Sequence, residues 1–547
     1  MKKTSAKNAR SDNMKPTDKK ISAPKCTSKI LTRAVPTALI CLQLLCSCDV
    51  QPIIPPPIYD ESDRYPSVSS ETISRNPWYG TEPPQDDTVG PVDTIEPVEP
   101  PAPHVHNFEG DVCTLCGEKR APIKLDLTYD QDNNTYTVTG VVAVTDNKVI
   151  IPASYSGIPI TKIAAGTFKN CVWLENIIIP DSIETIENGA FEGCTGLAEI
   201  IIPESVTSIG TYAFGNCTGL SHIEFPAARI NVGTNAFSGC TGIEAVTVPD
   251  VAAWLELSFA NSGANPLNGI GRLYIGSFPV SELVIPEGIE KIGKYQFIGA
   301  AWLKSLSVPA SLREIETDAF SNCNSLKRVR IADLAAYCGI SVSGRSCGPL
   351  SYAEELYIGD SKKPVDELVI PSGVKKINSC VFSDFCGFGQ LTIPGSVTEI
   401  DRLAFFGCRG LKEIVFSDGL KRIGNNAFSS CDALSDIHIP DIGSFSSIDF
   451  EFNPLSLAEN LFINGRLVTE LVIPDGTKVI GQNAFKDFSP IKKVKIPDSV
   501  TSIGDSAFEG LRQLESIELP KNIEYIGSRA FAGCEKLKTI TIPNSVK

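Results

Sequence analysis

Ile202-Pro203-Glu204-Ser205-Val206-Thr207-Ser208-Ile209-Gly210-Thr211-Tyr212-Ala213-Phe214-Gly215-Asn216-Cys217-Thr218-Gly219-Leu220-Ser221-His222-Ile223 is one turn of a pattern that recurs from about residue 150 to Lys547. Its phenylalanine step stands at Phe168, Phe191, Phe214 and Phe237, then at Phe320, Phe405, Phe428, Phe508 and Phe531. Its proline step keeps the same 23-residue beat at Pro180, Pro203, Pro226 and Pro249. The beat returns in Pro286 and Pro309, Pro371 and Pro394, and Pro474, Pro497, Pro520 and Pro543. A fixed period in this range predicts a solenoid, in which each unit buries its apolar face by stacking on its neighbours.

One repeat explains itself residue by residue. Leu197-Ala198-Glu199-Ile200-Ile201-Ile202 ends in the alternation of a short strand. Pro203 stops that strand, because it has no N–H to offer a ladder. Val206 and Ile209 turn the chain inward, Gly210 is expected to ease a tight turn, and Ala213-Phe214 places one large ring inside. Stacked at about 4.8 Å, roughly fifteen coils of this kind would run about 70 Å. The expected architecture is a right-handed, mostly parallel β solenoid with little helix.

The string Leu-x-x-Ile-x-Ile-Pro-x-Ser-Val-x-x-Ile-Gly-x-x-Ala-Phe-x-x-Cys resembles the BspA-like class of bacterial leucine-rich repeats, over about residues 150–547. That resemblance implies a curved leucine-rich-repeat solenoid, in the α/β class. It also implies membership among surface-exposed or secreted proteins, some of which bind host matrix proteins or other bacteria.

Composition narrows the function. The chain of 547 residues carries a net charge of −15. Such an acidic body argues against general nucleic-acid binding, which needs basic surface. Of the 18 cysteines, Cys171, Cys194, Cys217 and Cys240 fall three residues after a repeat phenylalanine, as do Cys323, Cys408, Cys431 and Cys534. A residue tied to the period belongs to the coil interior, so these read as free thiols packed as small hydrophobes. Phe385, Phe488 and Leu511 stand at equivalent sites, which fits packing better than obligate pairing.

The N-terminal quarter is different. Residues 1–47 hold ten basic and two acidic residues, and the apolar run Ala34 to Cys46 suits a signal peptide. Leu45-Cys46-Ser47-Cys48 resembles a bacterial lipobox, which makes Cys48 the lipidated residue; the alternative is an ordinary cleaved leader. The expected location is therefore outside the cytoplasm, on the cell surface or outer membrane, held by lipid alone. Residues 48–103, with thirteen prolines and eleven acids, read as a disordered stalk. Within 104–120, His104, His106, Cys113 and Cys116 have the spacing and ligand types of a small zinc knuckle; a disulfide or free thiols are the other readings. No cofactor is required, and one structural zinc at this segment is the single candidate. Residues 121–150 alternate as a hairpin that would cap the open first coil of the solenoid 151–547.

Three longer units, 250–285, 333–370 and 441–473, interrupt the beat. Each opens with aspartate and an aliphatic residue, carries Pro-Leu, and ends in Glu-Leu-Val-Ile-Pro. They read as long coils whose extra residues bulge from one edge, either a structural variant or a binding face. The sequence holds no phosphate loop, nucleophile elbow or zinc-protease helix, and His222 and His438 fall at outward strand places, so no enzyme is expected. Outward strand places also collect two basic triplets, Lys327/Arg328/Arg330 and Lys492/Lys493/Lys495, each read either as solvated charge or as ligand contact. Two functions fit: a monomeric surface lipoprotein that binds a protein ligand in the manner of an adhesin, or an envelope spacer with no specific ligand.

Overall fold

The computed structural model describes residues 125–142, 147–269 and 271–547, together with the backbone of 108–109 and 112–113. The leader 1–47, the stalk 48–103, and with them Cys48, lie outside the described residues, as do His104, His106, Cys116 and the side chain of Cys113. The chain is a parallel β-solenoid of the leucine-rich-repeat kind, with about 17 turns and little helix.

Each turn contributes two short strands. The longer ladder is seen in Glu199–Ile201, His222–Glu224 and Ala245–Val248, which pair in parallel with Ile200, Ile223 and Val246 in register. The second runs through Thr185–Ile186, Ser208–Ile209 and Asn231–Val232. Between them Pro203 closes a turn by accepting the Val206 N–H (3.2 Å). Ile200, Ile202, Val206, Ile209, Phe214, Cys217 and Leu220 are all buried, so the inward places are the ones the repeat repeats.

The phenylalanines form a column along the axis. Ring centroids of Phe168, Phe191, Phe214 and Phe237 are 5.1, 5.0 and 5.3 Å apart, with planes within 5° of parallel. The coil rise sets this spacing, since it is close to the separation of neighbouring strands. Phe297, Phe382 and Phe485 extend the column into coils where the step is Gln-Phe, Val-Phe or a later Ala-Phe.

Gly210 serves a purpose other than the one its sequence position implies. Its backbone is not left-handed; the left-handed residue of that turn is Tyr212 (φ 52°). A Cβ on Gly210 would lie 2.5 Å from the Asn188 nitrogen of the preceding coil. Close approach between coils, rather than backbone freedom, requires glycine there.

At the N-terminal end, strands Leu125–Asp130 and Thr135–Val141 form an antiparallel hairpin whose second strand continues in parallel with Ile158–Ile163. The core runs without a break from Leu125 to Ala530.

Beyond the short pair Lys148–Ile150 and Asn176–Ile178, which forms a sheet of its own, the sheets break at the three long units. In each unit a five-residue helix replaces the proline turn: α1 (Val251–Leu255), α2 (Leu334–Cys338) and α3 (Ile442–Ser446). Asp250, Asp333 and Asp441 cap them through side-chain oxygens that accept N–H bonds of the first turn. After the next long strand the chain folds back as a hairpin, for example Phe278–Pro279 on Arg272–Ile275. The strands that follow, Glu282–Val284, Glu367–Val369 and Leu471–Val472, each begin a new sheet. The extra residues are thus seams between four blocks of coils.

Candidate binding face and seams

The outward strand places build one surface from residues in parallel register. In the second block Glu282, Ser305, Arg328 and Glu355 share one row, and Ser307, Arg330 and Tyr357 the next. One basic triplet lies in this block and the other in the last, and their members are not equally available. Arg330 is half-buried: its guanidinium donates to the carbonyls of Gly359 (2.6 Å) and Ser361 (2.9 Å) and lies 5.0 Å over the Tyr357 ring. It holds the hairpin loop of the second seam. Arg328 reaches past Ser305 to Glu282 at 3.6 Å, and Lys327 stands 3.9 Å from Glu354. In the last block Lys495 pairs with Glu470 at 3.1 Å. Lys492 and Lys493 are exposed and make no ion pair among the described residues. Exposed pairs of this kind contribute at most about 1 kcal/mol each, so they tune the surface charge more than the stability.

The two strand histidines are less free than their places imply. His222 is half-buried and its Nε2 lies 2.9 Å from the Thr247 hydroxyl. His438 stacks on Phe462 at 4.6 Å and sits 3.2 Å from Glu413. Among the described residues no three His, Cys, Asp or Glu side chains are grouped to hold a metal ion, and no helix is long and apolar enough to cross a membrane.

The periodic cysteines are free thiols, buried or half-buried, with a role that sequence reasoning missed. All of them but Cys171 donate their S–H to the carbonyl of the phenylalanine one coil back, as in Cys194 to Phe168 (3.0 Å), Cys217 to Phe191 (3.0 Å), Cys408 to Phe382 (3.2 Å) and Cys534 to Phe508 (3.2 Å). The hydrogen bond shared with Cys194 pushes the Cys217 thiol up to about 12, so it is a packing group and not a nucleophile. The fixed spacing from the phenylalanines marks the position in the sequence, but not the bond.

Side chains hold the seams where ladders stop. At the first, the Trp254 indole donates to the Gln296 carbonyl (3.2 Å), and buried Asn265 donates to the carbonyls of Tyr295 (2.7 Å) and Gln296 (3.1 Å). At the third, buried Asn453 repeats this clamp on Asn483 (2.8 Å) and Ala484 (2.6 Å). At the second, Gly348 occupies the asparagine place. There Asn378 donates to Gly339 (2.6 Å), Ser351 donates to Ser383 (3.0 Å), and Arg345 lies 3.7 Å from Asp384.

The model for the BspA type leucine-rich repeat region matches residues 160–266, 272–341, 360–456 and 455–547, more than half of the chain. No curated protein matches the chain by sequence. Among solved structures, a leucine-rich-repeat protein of Bacteroides ovatus is 22% identical, covering 78% of this chain and 94% of its own, with a TM-score of 0.39. A leucine-rich cell surface protein of Faecalibacterium prausnitzii is 21% identical over 76% of this chain and 92% of its own, with a TM-score of 0.33. A leucine-rich-repeat protein of Eubacterium ventriosum is 18% identical over 76% and 94%, with a TM-score of 0.33.

Proposed function

Because the chain belongs to the BspA-type leucine-rich-repeat family, we propose that it is an exported, surface-displayed scaffold that binds a protein partner through the outward face of its sheets. One observation supports this most: Lys492 and Lys493 stand exposed, and unpaired among the described residues, on the outward face of an otherwise acidic protein. Lys327, Arg328 and Lys495 carry further positive charge on that face, loosely held by Glu354, Glu282 and Glu470. Arg330 is a weaker contact residue, since its guanidinium is occupied by the seam loop. An acidic patch on the partner would meet these groups with charge complementarity that steers association. Lipidation of Cys48 would hold the solenoid at the membrane, with residues 48–103 as the spacer.

The same ion pairs favour a second reading, a spacer with no specific ligand, in which each basic group merely balances a neighbouring acid. Binding of the full chain to immobilised matrix proteins and to bacterial surfaces separates the two. The Lys492→Glu/Lys493→Glu variant should bind at least several-fold more weakly, melt like the parent, and lose the parent's salt sensitivity. Binding that is indifferent to both charge reversal and salt would remove the basic face from the contact.

A further inference from the structure

The middle seam differs from its two companions in having cysteines on both sides of it, at Cys347 and Cys380. Asn265 and Asn453 tie the first and third seams by donating to the carbonyls of Tyr295 and Asn483 in the following coil. At the middle seam the asparagine place is Gly348, which has no side chain to donate, and the residue before it is Cys347. The residue equivalent to Tyr295 and Asn483 is Cys380, left-handed like them (φ 62°, against 59° and 55°). We propose that Cys347 and Cys380 join as a disulfide that closes the middle seam in an oxidising environment, replacing the missing asparagine clamp.

The geometry supports the pairing from both sides. Cys347 accepts the N–H of Asp318 (3.3 Å), the left-handed residue (φ 55°) of the coil before, and Cys380 is the left-handed residue of the coil after. The two therefore stand at one corner of consecutive coils. At the other two seams one asparagine side chain spans from this corner to the residue equivalent to Cys380, so the place beside Gly348 lies within side-chain reach of Cys380. Both are buried, at 5% and 3% exposure, and neither falls on the periodic cysteine position whose S–H is committed to a phenylalanine carbonyl. Burial raises the Cys380 thiol above its ordinary value, Cys347 acts on it in the same direction, and Arg402 and Arg345 oppose them.

The reaction is a thiol–disulfide exchange with a small disulfide such as oxidised glutathione. One protein thiolate attacks it, forms the mixed disulfide and releases one reduced glutathione. The second thiolate then attacks the mixed disulfide and releases the other. Two protein thiols lose two electrons and two protons, and one oxidised glutathione becomes two reduced molecules. Because both sulfurs are buried, exchange waits on opening of the seam, and closure then holds the second and third blocks together.

The test uses the full chain equilibrated with oxidised and reduced glutathione, then digested with trypsin without reduction. The expected product is a peptide of residues 346–362 joined to one of 377–402, absent from Cys380→Ser and Cys347→Ser. The oxidised parent should melt higher than the same protein in dithiothreitol, and that difference should vanish in Cys347→Ser. Absence of the joined peptide from folded parent would overturn the proposal. So would a joined peptide that survives in Cys380→Ser through Cys386, or a melting temperature indifferent to dithiothreitol.

Discussion

Replacing Asn453 with alanine removes the clamp of the third seam and nothing else of comparable weight. The Asn453 amide is 4% exposed and donates to the Asn483 and Ala484 carbonyls, while its Oδ1 accepts the Leu455 N–H at 2.9 Å. The Asn483 carbonyl keeps a second donor, the Lys486 N–H at 3.2 Å. The Ala484 carbonyl and the Leu455 N–H would be left buried without these partners. At roughly 1–3 kcal/mol for each of these two groups, the seam should weaken by about 2–6 kcal/mol. In a solenoid the loss falls on one nearest-neighbour interface, so it should detach the last block rather than lower the whole array evenly. Hydrogen exchange reads this directly. Amides of the last block, such as Phe485 bonded to Ala507 and Ile473 bonded to Lys495, should exchange about 30-fold to about 20,000-fold faster. Those of Phe191 and Phe214 should keep the parent rate. Unchanged exchange after Leu471, or equal acceleration in all four blocks, would refute the seam as a point of coupling.

Phe214→Ala should cost roughly 3–5 kcal/mol in chemical denaturation, because a fully buried ring is lost together with its stacks on Phe191 and Phe237; a variant that melts with the parent would contradict the column. Glu509 is held down to about 2 by its bond to the Arg529 guanidinium, with Ser506 and Lys486 adding to the effect. Its folded value lies below its ordinary 4.5, so its stabilisation is complete above about pH 4.5 and disappears as pH falls towards 2. The stability gap between the parent and Glu509→Gln should therefore be flat near neutrality and close over that acid window, and a gap independent of pH would contradict the pairing. Cys48→Ser should shift the protein from the membrane fraction to the soluble one and abolish fatty-acid labelling, and retention of both would leave Cys48 without its proposed role.

What the sequence shows and what it conceals follow from one physical distinction. Phe214 meets a phenylalanine in the coils above and below, and Val206, Ile209 and Leu220 meet aliphatic residues there, at the period of the repeat, so repetition alone marks them as core. The thiols were placed correctly in the interior by the same logic, but their partners were not. Cys217 bonds a carbonyl 26 residues back, and nothing in one chain's spelling separates a small buried hydrophobe from a buried donor. Gly210 was read as a turn residue because glycine is usual there, whereas its cause is the backbone of the previous coil, a contact invisible without stacking.

The seams were the hardest part to read, for a related reason. Glu-Leu-Val-Ile-Pro after each long unit spells an ordinary strand, so a sheet that ends before it and begins again at Glu282 looks continuous. Five-residue helices such as α1 are too short to show a helical period, although their capping aspartates were visible at Asp250, Asp333 and Asp441. Arg330 shows the consequence for function. Its place on the strand says ligand, but its guanidinium is spent 29 and 31 residues onward, on a hairpin loop that exists only because the sheet stops there. A coil repeated many times settles its contacts once, whereas each seam settles them separately: Trp254 with Asn265, Asn378 with Ser351, and Asn453. Departures from the period are therefore where individual side chains matter most, and where single substitutions should separate one block from the next.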